Sequence, residues 1–179
     1  MKKSKLPGAH KALDPNRVKF IIVHCSATPR GHDVGLRDIR QWHLTYGWRD
    51  VGYHYVIRLD GTIEKGRPLD CIGAHCKRFN RCSIGVCYVG GVEDDGRTPA
   101  DTRTEQQKRA LRQLLTELLS MFPNAEIRGH CDFAPKSCPS FNATAEYASL
   151  KGFSAPIEQP SIHSSKTYTL KSKYYEYPS

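Results

Sequence analysis

Hydrophobic positions along the chain fall into short blocks of two kinds, and their order predicts the layers of the fold. Residues 18–24 and 83–89 are nearly continuous apolar runs rich in Ile and Val. Too short for buried helices, they read as strands covered on both faces. Between them, Leu36, Ile39, Arg40, His43 and Leu44 recur at helical spacing across 35–46, and Gly47 stands where a helix would end on a glycine cap. Residues 53–59 mix aromatic and β-branched side chains, and Asp60-Gly61 followed by Thr62-Ile63-Glu64 predicts a hairpin. Residues 66–82 have no period and read as a long surface loop. Thr104 and Gln107 have capping-box spacing ahead of Leu111, Leu114, Leu115, Leu118 and Leu119, which predicts an amphipathic helix. Pro123-Asn124 breaks it, 125–129 returns as a short strand, and 130–141 (HCDFAPKSCPSF) is a proline-punctuated loop. This alternation predicts an α/β fold: a single domain with a central mixed sheet of about five strands flanked by helices, and a functional site at strand ends and loops.

Length and charge refine the boundaries. A chain of 179 residues suits one domain of ordinary size. The net charge of +9 is concentrated at the ends: residues 1–20 hold six bases and one acid, residues 151–179 four bases and two acids. The expected division is therefore a basic extension over 1–17, the folded domain over 18–150, and a Ser/Tyr/Lys-rich tail over 151–179. A nearly neutral core argues against a dedicated, specific nucleic-acid-binding domain. The longest apolar run, residues 20–23, is far short of the ~20 residues a membrane span needs. The basic N-terminus is not followed by the apolar stretch of a signal peptide, so synthesis in the cytoplasm without that route is expected.

Seven cysteines, an odd number, cannot all pair with one another, and none form a C-x-x-C motif. Most are expected to be small buried hydrophobes. His24 ends a predicted strand, and His130 and Cys138 straddle the loop after another, so the three could supply the protein ligands of a catalytic zinc, which leaves a fourth position for water. Such residues also serve as buried, hydrogen-bonded structural groups, and spacing alone leaves both readings open. Cys131, next to His130 on extended chain, should point away from any metal His130 holds, and Cys25 is separated from His24 by the same alternation.

Five segments together resemble the phage-lysozyme type of N-acetylmuramoyl-L-alanine amidase and its wider relatives, the peptidoglycan recognition proteins. They are Ile22-Val23-His24-Cys25-Ser26-Ala27-Thr28, the stretch from Arg37 to His43 (RDIRQWH), the stretch from Gly47 to His54 (GWRDVGYH), Ser83-Ile84-Gly85-Val86-Cys87, and the stretch from Ala134 to Phe141 (APKSCPSF). They occur in order and at compatible spacing from about Phe20 to Phe141. The resemblance implies one Zn2+ per chain held by His24, His130 and Cys138, with Tyr53 and Lys136 as catalytic residues and peptidoglycan as substrate. His75 and Asn80, in Gly73-Ala74-His75-Cys76-Lys77-Arg78-Phe79-Asn80, match a groove segment that meets the muramyl peptide. The family usually has a glycine ahead of the asparagine, where Arg78-Phe79 stand here. His54 should point away from Tyr53 and be structural.

Three functions compete on these residues. The first is an amidase that cuts between N-acetylmuramic acid and L-alanine, acting on the cell wall after release through a permeabilised membrane. The second is a peptidoglycan-binding module that does not cut, against which the complete ligand set argues. The third is an amidase of the phage type that also inhibits a protein partner, which no residue identifies.

Overall fold

The computed structural model describes residues 10–150. Strand β1 (Phe20–Cys25) is its centre. It pairs in parallel with β5 (Ser83–Tyr88) on one side and β7 (Glu126–Gly129) on the other; β3 (Tyr55–Ile57) runs parallel to β5, and β4 (Ile63–Lys65) closes the far edge antiparallel to β3. The order β4-β3-β5-β1-β7 makes the five-stranded mixed sheet that the hydrophobic blocks predict. A separate two-stranded ladder joins β2 (Thr28–Pro29) to β6 (Gly91–Val92).

Side chains alternate across a strand, so the two faces of the sheet hold different residues. One face carries Ile21, Val23, Ile84, Val86 and Tyr88 and is covered by α2 (Glu105–Met121) through Ala110, Leu111, Leu114, Leu115 and Leu118. The capping box forms as expected: the Thr104 hydroxyl accepts from the Gln107 amide at 3.1 Å and the Gln107 side chain accepts from the Thr104 amide at 3.0 Å. Gln107 is also fully buried, and its Nε2 donates to the Ile57 and Val89 carbonyls, so its burial leaves no donor unpaired. The other face carries Val56 and Cys87, covered by α1 (Leu36–Thr45) through Ile39. His24, Ile22 and Gly85 share that second face by register, beyond the helix. One half of the face is core and the other half is open to a site.

One feature departs from the expectation. Packing begins before residue 18: Leu13 is buried, its amide donates to the Asp70 carbonyl at 2.6 Å, and the Ile72 amide donates to Lys11 at 2.8 Å. The loop over 66–82 is thus tied down by the segment ahead of β1, although neither stretch carries a hydrophobic period. The expected tail over 151–179 lies outside the described residues. Among the described residues no helix is long and apolar enough to cross a membrane.

The segment after the 130–141 loop is clamped by one cation. Arg103, whose side chain is 2% exposed, places all five guanidinium N–H groups: two on Asp101, two on the Glu146 carboxylate and one on the Tyr147 hydroxyl, while its plane lies 3.3 Å from the Phe141 ring centroid. Glu146 closes the short helix α3 (Ala143–Glu146). Replacing Arg103 leaves two facing carboxylates that are partly solvated, so Arg103→Met should lower unfolding free energy by about 3 kcal/mol, the low end for breaking a buried pair. A loss under about 1 kcal/mol in chemical denaturation would contradict the clamp.

Candidate active site

Each of the three candidate ligands arrives on a different element. His24 comes from the end of β1, where burial of the strand on both faces sets its direction. His130 opens a single 3-10 turn (His130–Asp132) straight after β7, tightened by the Asp132 carboxylate accepting from the Gly129 amide at 3.0 Å. Cys138 comes from the loop, which is pinned at several points: the buried Tyr88 hydroxyl donates to the Pro139 carbonyl at 2.6 Å, the Cys131 amide to the Cys138 carbonyl at 2.7 Å, and the Ser140 hydroxyl to the Gly91 carbonyl at 2.7 Å. The Cys138–Pro139 peptide is cis. Ligating atoms of His24, His130 and Cys138 lie within 4.8 Å of one another, close enough for one metal ion to touch all three.

The donor set fits a metal electrically. His24 is fully buried, and burial together with the neighbouring His75, His130 and Lys136 holds its pKa well below the usual imidazole value. His130 is lowered by burial and then by Lys136. Both are neutral at pH 7, the form that ligates. The Cys138 thiol is held above its ordinary value by its hydrogen bond with the Cys25 thiol and by burial. Ligation needs a deprotonated sulfur, and the Cys25 amide, donating to Cys138 Sγ at 3.3 Å, is in place to support one.

Tyr53 precedes β3 with its ring 5.1 Å from that of His24. Its course is set by two contacts: the Gly52 amide donates to His43 Nδ1 at 2.9 Å, and Gly52 lies so close to the Ala74 carbonyl that an added Cβ would sit 2.3 Å from its oxygen. Burial, followed by the nearby Cys87 thiol, holds the Tyr53 hydroxyl well above pKa 10, so it remains a donor at neutral pH. Lys136 is exposed and lines, with His75, Asn80, His130, Trp48 and Phe133, a cleft of about 550 Å³.

In the groove segment Arg78-Phe79 stand where the resemblance leads one to expect a glycine. Arg78 takes φ +75°, the left-handed conformation that glycine favours, and the Asn80 side-chain oxygen accepts from the His75 and Cys76 amides at 2.9 Å each. Asn80 therefore shapes the wall from inside while lining the cleft. His54 is 1% exposed: the Gly85 amide donates to its Nδ1 at 2.9 Å and its Nε2 donates to the Cys71 carbonyl at 2.9 Å, a structural role as alternation suggested. Cys131 is exposed, outside the ligand cluster. Sequence reasoning missed Tyr88, Ser83 and Trp48 as parts of the site. Trp48 and Ser83 carried a signal, since both lie in segments of the family resemblance.

The α/β domain thus brings two imidazoles and a thiol together near the ends of its central strands, in a group that could hold a metal ion. Comparison with known proteins makes that specific. Residues 14–141 match the family described as N-acetylmuramoyl-L-alanine amidase, and the chain belongs to that family. The endolysin of Enterobacteria phage K11 is 53% identical over 121 residues, covering 68% of this chain and 80% of the phage protein. Among solved structures, N-acetylmuramoyl-L-alanine amidase LysC from Clostridium intestinale superposes with TM-score 0.65 at 27% identity, covering 79% of this chain and 91% of its own. Wild-type Drosophila PGRP-LB superposes with TM-score 0.67 at 26% identity, covering 88% and 94%.

The buried imidazoles make stability pH-dependent. Burial lowers the His54 pKa from 6.5 to about 4, so the unfolded chain takes up a proton there before the folded one does. Above pH 6.5 both states are neutral and stability is whole. As pH falls from 6.5 towards 4 it should drop by about 3 kcal/mol from His54 alone, with His24 and His75 adding in the same direction. Denaturation curves across this range should show it in the metal-free protein, and His54→Gln should flatten the slope by roughly one proton. An unchanged slope would remove His54 from the account.

Proposed function

We propose that the chain is a zinc-dependent amidase that hydrolyses the bond between the lactyl group of N-acetylmuramic acid and the L-alanine of the peptidoglycan stem peptide. The observation that carries this reading is the convergence of His24, His130 and Cys138, with ligating atoms within 4.8 Å of one another, beside the Tyr53 ring and next to a cleft that His130 and Lys136 both line. Two imidazoles and a thiolate favour zinc over hard cations such as magnesium, and the count of three fits a catalytic rather than a structural site. Zinc bound there supplies Lewis-acid polarisation and an activated water.

The chain's own residues do the rest. Tyr53, protonated at neutral pH, donates to the amide carbonyl oxygen as charge builds on it, and the Lys136 ammonium at the rim stabilises the same charge or passes a proton to the leaving amine. The cleft wall at Asn80, in the groove segment that also holds His75, meets the muramyl peptide. The phage protein at 53% identity is an endolysin, which supports wall lysis; passage through a permeabilised membrane would bring the enzyme to its substrate. A peptidoglycan-binding module without activity would not need the full ligand set that this chain has.

Digestion of peptidoglycan should release new L-alanine amino groups without new reducing sugar ends; reducing ends alone would point to a glycosidase. Chelation should abolish the release, and Cys138→Ser should lose bound zinc. Tyr53→Phe keeps the ring and removes only the donor, so kcat should fall on the order of 10²-fold while zinc content stays at one per chain. Near-normal turnover in that variant would make Tyr53 a packing residue.

A further inference from the structure

We infer that His75 is a positioning residue for the metal centre: it fixes the tautomer and orientation of His24, so that His24 Nδ1 is left bare towards Cys138 and His130. The inference rests on the metalloenzyme reading and adds a residue that acts through a ligand.

The chain of donors can be followed from its end. The Ser83 hydroxyl has one proton, and it is spent on the Phe79 carbonyl at 2.8 Å. Ser83 Oγ can then only accept from His75 Nε2, 3.4 Å away. The proton of the neutral His75 is therefore on Nε2, and its Nδ1 presents a lone pair. That lone pair faces His24 Nε2 at 3.0 Å, so Nε2 of His24 is the donor and carries its proton. The remaining nitrogen, His24 Nδ1, is unprotonated and lies 3.8 Å from Cys138 Sγ. The side chains of His75 and Ser83 and the Phe79 main-chain carbonyl thus dictate which nitrogen of His24 can ligate, the arrangement by which a ligand's second nitrogen is held in metal sites generally.

The seat for the His75 ring is built. A Cβ on Gly85 would lie 2.5 Å from His75 Cγ, and one on Gly73 would lie 2.6 Å from its Cδ2, so both sides of the imidazole are closed by glycine backbone. The residue is 8% exposed. With Nδ1 on His24 and Nε2 on Ser83, neither nitrogen is left over for a substrate, so a change at His75 should be felt at the metal first.

The test measures zinc affinity by competition with a chromophoric chelator, together with the imidazole tautomers of the metal-free protein by long-range 15N–1H correlation. Wild type should show His24 and His75 both protonated at Nε2. His75→Ala and His75→Gln should weaken zinc binding 10- to 100-fold. His75→Asn, whose Oδ1 can accept near the place of Nδ1, should hold zinc within about three-fold of wild type. If the alanine variant does not fold, the Asn and Gln pair decides. Wild-type zinc affinity in the Ala or Gln variant, with only KM raised, would overturn the inference and make His75 a substrate contact. A His24 tautomer protonated at Nδ1 would overturn it as well. Should wild type bind no zinc, the zinc reading fails by itself, and the tautomer measurement still judges His75.

Discussion

Much of the molecule follows from holding a neutral imidazole at the end of a buried parallel strand. His24 sits on β1 between β5 and β7, where both sheet neighbours are fixed by main-chain hydrogen bonds and the far face is sealed by the leucines of α2. A charged group could not rest there without a partner, and an unpaired polar one would cost roughly 1–3 kcal/mol. The strand end supplies rigidity, the surrounding burial keeps the ring neutral, and His75 takes up its outer nitrogen. The open half of the sheet face exists because α1 covers only the other half.

The second requirement is that a loop deliver a sulfur to the same point. Loops seldom hold atoms to ångström precision, and this one is made rigid by contacts from the sheet and from beyond its own end. Tyr88 and Gly91 reach it from β5 and β6, while Arg103 fastens the stretch that follows it by saturating its donors on Asp101, Glu146 and Tyr147. The centre is thus supported by a hydrophobic layer on one side and a polar clamp on the other. The cleft walls, by contrast, come from loops whose outer residues are exposed, which suits the recognition of a polymer from outside.

Strands and helices were legible in the chain because each has a local signature, and the candidate ligand trio, which the fold brings together, came from the family resemblance. Apolar runs marked β1 and β5, the Thr104–Gln107 spacing marked the start of α2, and the resemblance taken as a whole implied His24, His130 and Cys138. What was not legible depends on groups far apart in sequence meeting with small clearances. The His24–His75–Ser83 chain spans three separate segments and needs the bare backbone of Gly73 and Gly85 to seat a ring between them. Arg103 looked like an ordinary charge before a helix, since only the fold brings Glu146, Tyr147 and Phe141 around it. The contribution of Leu13 was hidden for a related reason: one buried leucine in a basic, aperiodic stretch has no pattern to announce it. Arg78 takes a left-handed turn, φ +75°, that a non-glycine residue rarely adopts and that nothing local in the chain announces.

The central claim is that three elements of this fold deliver two imidazole nitrogens and one thiolate sulfur to a single metal ion, with His24 bound through Nδ1. A crystal structure of the zinc-loaded protein, with the ion located by anomalous scattering at the zinc edge, tests it most directly. The account predicts zinc about 2.0–2.1 Å from His24 Nδ1 and a His130 nitrogen and about 2.3 Å from Cys138 Sγ, with a fourth position open to the cleft. A first shell without sulfur, or His24 bound through Nε2 with its contact to His75 broken, would contradict it.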